Sequence, residues 1–150
     1  MSRGGELFMR ENREIKFRAL DHMNKWQYGY YRFIKNSPVN GKEINQHTIH
    51  NGSYEELIRP ETIGQYTGLK DSTRTKEFPE GKEIYEGDFL KVVSLSNDHN
   101  QIGAINVMNV FYFMGAFCLR FRNEETGQPI YPLNVNHVIE VIGNINEVPK

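Results

Sequence analysis

Residues 14–34, EIKFRALDHMNKWQYGYYRFI, repeat with a period of two rather than 3.6. Over Glu14 to Ala19, the apolar Ile15, Phe17 and Ala19 alternate with Glu14, Lys16 and Arg18. That alternation predicts a strand with one buried face and one charged, solvated face. Trp26 to Ile34 is aromatic and β-branched, a composition that packs on a pleated surface. Asp21 and Asn24 are turn formers between the two runs, so the pair reads as a hairpin.

The same reading carries outward along the chain. Pro38, Asn40-Gly41 and Asn51-Gly52 punctuate a region with short strands around residues 43–50 and 56–58. Ser53-x-x-Glu56 has the spacing of a helix capping box, but Pro60 ends the run behind it, so a strand-turn reading is favoured. Residues 71–81 are polar, carry Pro79 and read as an exposed loop. From Gly87 the sequence predicts strands over 88–95, 102–112, 115–122 and 129–133, with a turn at Glu124 to Gly127. A single 3₁₀ turn at 134–137 and a closing strand at 138–145 follow. Five strands with a short turn before the last is the order of an SH3-like barrel, and closure would remove exposed sheet edges. The expected fold is therefore mainly β. It comprises an N-terminal β lobe over residues 13–81, with its loop at 71–81, and a C-terminal SH3-like small β-barrel over 82–150. Residues 13–150 packing as one domain is the alternative. Residues 1–12 read as a frayed or disordered extension, with Met9 as an alternative start or the segment as an expression leader.

Bulk properties bound the function. The chain has 150 residues, 38% of them hydrophobic and 12% aromatic, enough for a packed core in one domain or two small lobes. With 18 basic and 19 acidic residues the formal net charge is -1. Nothing global draws such a chain to a polyanion or an anionic membrane. A single cysteine, Cys118, forms no intrachain disulfide and fits a reducing cytoplasm. The apolar run from Val107 to Leu119 is interrupted by Asn109 and Gly115 and is too short to span a bilayer as a helix. MSRGGELFMREN lacks the apolar stretch of a signal peptide.

Residues 60–91, PETIGQYTGLKDSTRTKEFPEGKEIYEGDFLK, join P-E-T-x-G-Q-[FY]-T-G-L-x-D to G-K-E-I-Y-E-G-D. Together with REIKFRALD at Arg13 to Asp21, similar to REIKFRAWD, this stretch resembles the YopX-like family of phage and prophage proteins. The resemblance implies an occurrence in bacteriophages and bacterial prophages, hence in the cytoplasm of a bacterial host, and brings no established biochemical activity. The chain departs from the family's commonest pattern, in which a short turn such as K-N-G links the two motifs; here Ser72 to Glu80 are inserted.

The family-marker residues read as structural. They are Pro60, Glu61, Thr62, Gly64, Gln65, Thr67, Gly68, Leu69, Asp71, Gly81, Tyr85, Glu86, Gly87 and Asp88. Gly64, Gly68, Gly81 and Gly87 fall at expected turns, where positive φ costs glycine little. Thr62 and Thr67 suit local backbone bonds, and Glu86-Gly87-Asp88 reads as a turn whose Asp88 carboxylate accepts backbone N–H groups. The alternative is that Gln65, Asp71, Lys82, Glu86 and Asp88 surround a binding site, the carboxylates holding a hard cation.

Signs of catalysis are few. Cys118 lies mid-strand, the usual setting of a small buried hydrophobe. His47-Thr48-Ile49-His50 would place both rings on one face only in a helix, and its neighbours favour a strand. His22 and His99 lie in polar, turn-like segments, and His137 reads as a turn residue. No dinucleotide-binding, Walker or H-E-x-x-H pattern occurs. No catalytic residue, metal or cofactor is expected. An enzyme would need some of Glu86, Asp88, His47, His50 and His137 to converge in a concave pocket. Basic residues interleaved with aromatics, as a stacking platform requires, occur in the first strands; the candidate nucleic-acid contacts are Lys16, Arg18, Trp26, Tyr28 and Arg32. The expected function is a non-enzymatic accessory protein that self-associates as a homo-oligomer and engages a protein partner, with no membrane role. A nucleic-acid-binding module for phage replication or regulation is the alternative.

Overall fold

A computed structural model describes residues 13–93, 103–122 and 129–147. The extension expected at residues 1–12 and the turn expected at Glu124 to Gly127 lie outside the described residues. The fold is mainly β, and helix among the described residues is confined to two single 3₁₀ turns, Pro60–Thr62 and Val135–His137.

Strands β1 (Phe17–Leu20), β2 (Trp26–Val39), β3 (Lys42–His50), β4 (Glu55–Leu57), β5 (Gly64–Lys70) and β6 (Glu83–Tyr85) form one antiparallel sheet in the order β4-β3-β2-β1-β5-β6. The hairpin expected at Asp21 to Lys25 joins β1 to β2. Asp21 Oδ1 accepts from the amides of Met23 and Lys25 at 2.8 and 2.9 Å, and Asn24 adopts φ 59°. Where a capping box was the weaker option, Asn51 Oδ1 accepts from the amides of Ser53 and Tyr54 at 2.8 and 3.0 Å, and Glu56 lies in β4.

Strands β7 (Asp88–Val93), β8 (Ile105–Phe113), β9 (Ala116–Phe121), β10 (Tyr131–Pro132) and β11 (Val138–Asn144) form a second antiparallel sheet, ordered β10-β9-β8-β7-β11. The 3₁₀ turn falls before the last strand, as the sequence suggested. The closed SH3-like barrel is not observed: among the described residues β10 pairs only with β9 and β11 only with β7, which leaves an open sheet. β10 is two residues long and ends in Pro132, which has no amide hydrogen to offer a closing ladder.

Each sheet contributes to a core. Ala19, Ile49 and Ile58 are buried with Phe17, Tyr31 and Ile63 on one face of the first sheet. Leu90, Val92, Met108, Val110, Leu119 and Val138 of the second sheet close around Ile84, a β6 residue. The two sheets therefore share apolar burial. β1 is covered on both faces, which the alternation of Glu14 to Ala19 did not foretell: Arg18, assigned by its period to the solvated face, is 8% exposed.

Candidate functional site

The chain passes from the first sheet to the second at Glu86-Gly87, and the side chains on either side of this crossing form a buried polar junction. Asp88 opens β7 and is 0% exposed. Its Oδ1 accepts from Arg18 Nη2 and from Asn144 Nδ2 (3.1 Å), and its Oδ2 accepts from the Tyr85 amide at 2.7 Å. The Asp88 carbonyl accepts from Asn109 Nδ2 at 3.2 Å. Above the carboxylate, the Arg18 guanidinium lies between two aromatic rings, 4.4 Å from the centroid of Trp26 and 4.5 Å from that of Tyr85. One cation is thus neutralised by one anion in a nearly dry site, with its flat faces covered by π-systems. Burial pushes the Asp88 carboxyl above its ordinary value, against the opposing pull of Arg18, the Tyr85 amide and Asn144. Burial, aided by Glu83, likewise raises the Tyr85 phenol.

A second polar fastening holds the base of the 71–81 loop. Asp71 Oδ1 accepts from the amides of Thr73 (2.9 Å) and Lys82 (2.8 Å), and Oδ2 accepts from the Val141 amide of β11 at 2.8 Å. Burial alone would raise this carboxyl, but the donors from Val141, Lys82 and Thr73 outweigh it and hold it below the ordinary range. Ser72 adds bonds to the carbonyls of Val138 and Ile139. The loop's middle is exposed as expected, whereas Asp71 and Gly81 at its ends are buried.

The marker residues gather around these two fastenings. Pro60 and Glu61 open the first 3₁₀ turn, and Thr62 Oγ1 accepts from the Leu20 amide at 2.9 Å. Thr67 Oγ1 donates to the Ile84 carbonyl at 2.8 Å, and the Glu86 amide donates to the Gln65 carbonyl at 2.9 Å. Leu69 packs on the core of the second sheet. Gly68, Gly81 and Gly87 have the positive φ the turn reading required. Gly64 does not: it lies inside β5, where a Cβ would meet the Glu86 carbonyl oxygen at 2.6 Å, so close approach rather than a turn requires glycine there.

The residues singled out for nucleic-acid contact do not form one basic surface. Arg18 is buried and bound to Asp88, with Trp26 stacked on it, a correction to its placement on an outer strand face. Lys16 Nζ lies 2.5 Å from Glu83 and 3.3 Å from Glu14. Arg32 Nη1 lies 3.3 Å from Glu55 on the exposed side of the first sheet. Tyr28 is exposed at one edge and meets the Tyr85 ring edge-on at 5.8 Å.

Nor do the carboxylates and histidines converge. Asp88 faces inward, and His47 and His50 lie on a strand rather than a helix. His47 Nδ1 is 2.5 Å from the Tyr31 hydroxyl, and His50 Nδ1 accepts from the Gly52 amide at 3.2 Å. No group of three or more His, Cys, Asp or Glu side chains among the described residues is placed to hold a metal. Cys118 is half-buried on β9 rather than enclosed.

Two clefts flank the junction. One, of about 650 Å³, runs from Leu20, Asn24 and Trp26 to Phe89, Arg122 and the Ile142 to Glu147 segment. The Arg122 guanidinium in it lies 4.9 Å from the Phe89 ring centroid. The other, of about 420 Å³, lies on the Tyr28–Tyr85 side and is bounded by the insertion through Phe78. Sequence reasoning missed the role of Phe78, because an inserted polar loop gives no sign of which side chain will turn inward.

Two antiparallel sheets fastened by a buried Arg–Asp pair, with marker motifs wrapped around the fastening, define a mainly β module. The chain belongs to the family described as YopX protein, whose pattern matches residues 16–150. No curated protein and no solved structure matches it. No helix among the described residues is long and apolar enough to cross a membrane.

Proposed function

We propose that this chain is a phage or prophage accessory protein that acts in the bacterial cytoplasm as a non-enzymatic, self-assembling interaction module. The observation that carries the reading is the β2–β3 arm. Only Trp26 to Gly29 of the 14-residue β2 pair with β1, and only Thr48 to His50 of β3 pair with β4. The remainder, to Val39 and back from Lys42, is a two-stranded ribbon that pairs with itself. A lone ribbon is marginal in water, and its outer edges offer free backbone donors and acceptors. It also exposes Phe33 (47%) and Ile44 (44%). A second copy paired with the arm edge to edge would satisfy the backbone groups of one edge and extend the surface beside Phe33 on one face and Ile44 on the other, and a closed pair of identical arms is the simplest symmetric arrangement.

Size-exclusion chromatography with light scattering tests this. A discrete oligomer that becomes monomeric in Phe33→Glu/Ile44→Glu, with circular dichroism unchanged, is the expected result. A wild-type monomer at micromolar concentration would overturn the reading. Co-eluting nucleic acid that high salt removes would favour the nucleic-acid alternative instead.

A further inference from the structure

We propose that the smaller cleft, beside Tyr28 and Tyr85, is a binding site for a phosphoryl group. Arg18 forms part of its wall, and Lys70 and Lys82 also line it. Three independent observations support an anion there.

The first is that Arg18 is not fully used. Its side chain is 9% exposed and Nη2 is committed to Asp88, yet Nε is buried without a hydrogen-bond partner among the described residues. That N–H is closed off from the cleft as well as from solvent, so what Arg18 offers a ligand is the positive field of a guanidinium in the wall. The second is that both lysines are loosely held. Lys70 Nζ is 3.5 Å from Glu80, which is itself exposed. Lys82 Nζ is 3.9 Å from Glu140 and 3.4 Å from the Val141 carbonyl. These separations exceed the roughly 2.7–2.9 Å of a well-made charged hydrogen bond, so either ammonium can turn to a better acceptor at little cost. The third is that the anion in the cleft is already engaged: Glu83 lies 2.5 Å from Lys16 and accepts from the Tyr85 hydroxyl at 3.3 Å.

The walls match a ligand larger than a bare ion. Tyr28, Phe78 and Val141 are apolar surfaces beside the cations, and about 420 Å³ falls within the range of small-molecule sites. Low-polarity walls strengthen each charge contact. Two loosely held ammonium groups beside a guanidinium suit a phosphate dianion, with its several oxygens, better than a carboxylate. The phosphoryl group can come from a free mononucleotide-sized metabolite or from the backbone of a single strand. The proposal does not rest on self-assembly, and light scattering and ligand titration fail separately.

The test is titration of the ¹⁵N-labelled full chain at low ionic strength, first with inorganic phosphate and with acetate as control. Saturable shifts of the Lys82 to Tyr85 amides are expected with phosphate, at a Kd of about 1 mM, and weaker ones with acetate. Lys70→Gln/Lys82→Gln should weaken phosphate by about tenfold or more, and Lys42→Gln on the distant arm should not. Adenosine monophosphate and a short single-stranded DNA then separate the sources: tighter binding of the mononucleotide alone assigns a metabolite, and tighter binding of the strand assigns nucleic acid. No saturable shift, equal response to acetate, or an unchanged Kd in the double-lysine variant would overturn the site.

Discussion

Asp88→Asn isolates what the buried junction contributes. The substitution keeps the shape of the side chain and removes its charge. In the native protein Asp88 is fully enclosed and takes bonds from Arg18, Asn144 and the Tyr85 amide. The variant leaves the Arg18 guanidinium pinned between Trp26 and Tyr85, 8% exposed, with no counter-charge. Removing one partner of a buried pair costs about 3–5 kcal/mol. The two aromatic contacts, about 0.5–2 kcal/mol each, favour the cation but do not replace an anion. With a urea slope near 2 kcal/mol/M, a loss of about 4 kcal/mol lowers the unfolding midpoint by about 2 M. The companion variant Arg18→Met/Asp88→Leu removes both charges and fills the site with apolar atoms. It should lose far less than the sum of its single substitutions, because the desolvation cost of the pair disappears with the pair. Chemical denaturation of Asp88→Asn and of the four proteins of the cycle (wild type, Arg18→Met, Asp88→Leu and the double variant), followed by tryptophan fluorescence at Trp26, gives both quantities. A cost below about 1 kcal/mol for Asp88→Asn, or strict additivity in the cycle, would show that the junction does not hold the sheets in the way described.

The other expectations are local. Asp71 has a depressed folded pKa, so its contribution is complete above its unfolded value of about 3.9 and is lost as pH falls through the lower folded value. Asp71→Asn should therefore be less stable at neutral pH yet lose less on acidification, which denaturation midpoints across acid pH will register. Asp21, also depressed, chiefly by the Lys25 amide, should add to the same acid loss, and Asp21→Asn should flatten it further. Gly81→Ala places a Cβ 2.3 Å from the Asp71 carbonyl oxygen at φ +99°, whereas Gly115→Ala meets open space at φ +84°. Both pay the left-handed penalty of roughly 1–2 kcal/mol, and only Gly81→Ala must also displace backbone, so its melting temperature should fall further.

Period-two alternation made the strands legible, and turn chemistry located the β1–β2 hairpin and the 3₁₀ turn before β11. Which faces would be covered was not legible. An alternating strand declares two chemically different faces, not whether a second sheet will land on the polar one, and Arg18 shows the consequence. Its period says solvent, while its environment is a carboxylate and two rings contributed by residues up to 70 positions away. β5 was similarly hidden, because Gly64 and Gly68 read as turns although both lie within a strand. One is there for close approach to Glu86 and the other at an irregularity in the β5–β6 register.

A physical reason follows for a signature that identifies the family without disclosing an activity. REIKFRA supplies Arg18, GQYTGL supplies the strand that carries Thr67 to Ile84, and IYEGD supplies Tyr85 and Asp88. These segments meet where the chain changes sheet, and a buried ion pair there serves orientation more than net stability: a misdocked sheet would strand one charge in an apolar core. Residues that solve such a problem are interchangeable with few others, whatever the protein does. The contacts proposed at the cleft and the arm accordingly draw on positions that the junction leaves free, the rim lysines Lys70 and Lys82, the inserted Phe78 and the exposed ribbon at Phe33 and Ile44. Within the insertion, Phe78 is the residue that walls the smaller cleft, and the segments that supply Arg18 and Asp88 lie outside it; replacing Phe78 by a small polar residue would remove that wall. The cleft would then hold its phosphoryl ligand less tightly, and Phe78→Ser, which removes that wall and keeps the Ser72 and Thr73 bonds in place, should weaken phosphate binding with little change in the unfolding midpoint.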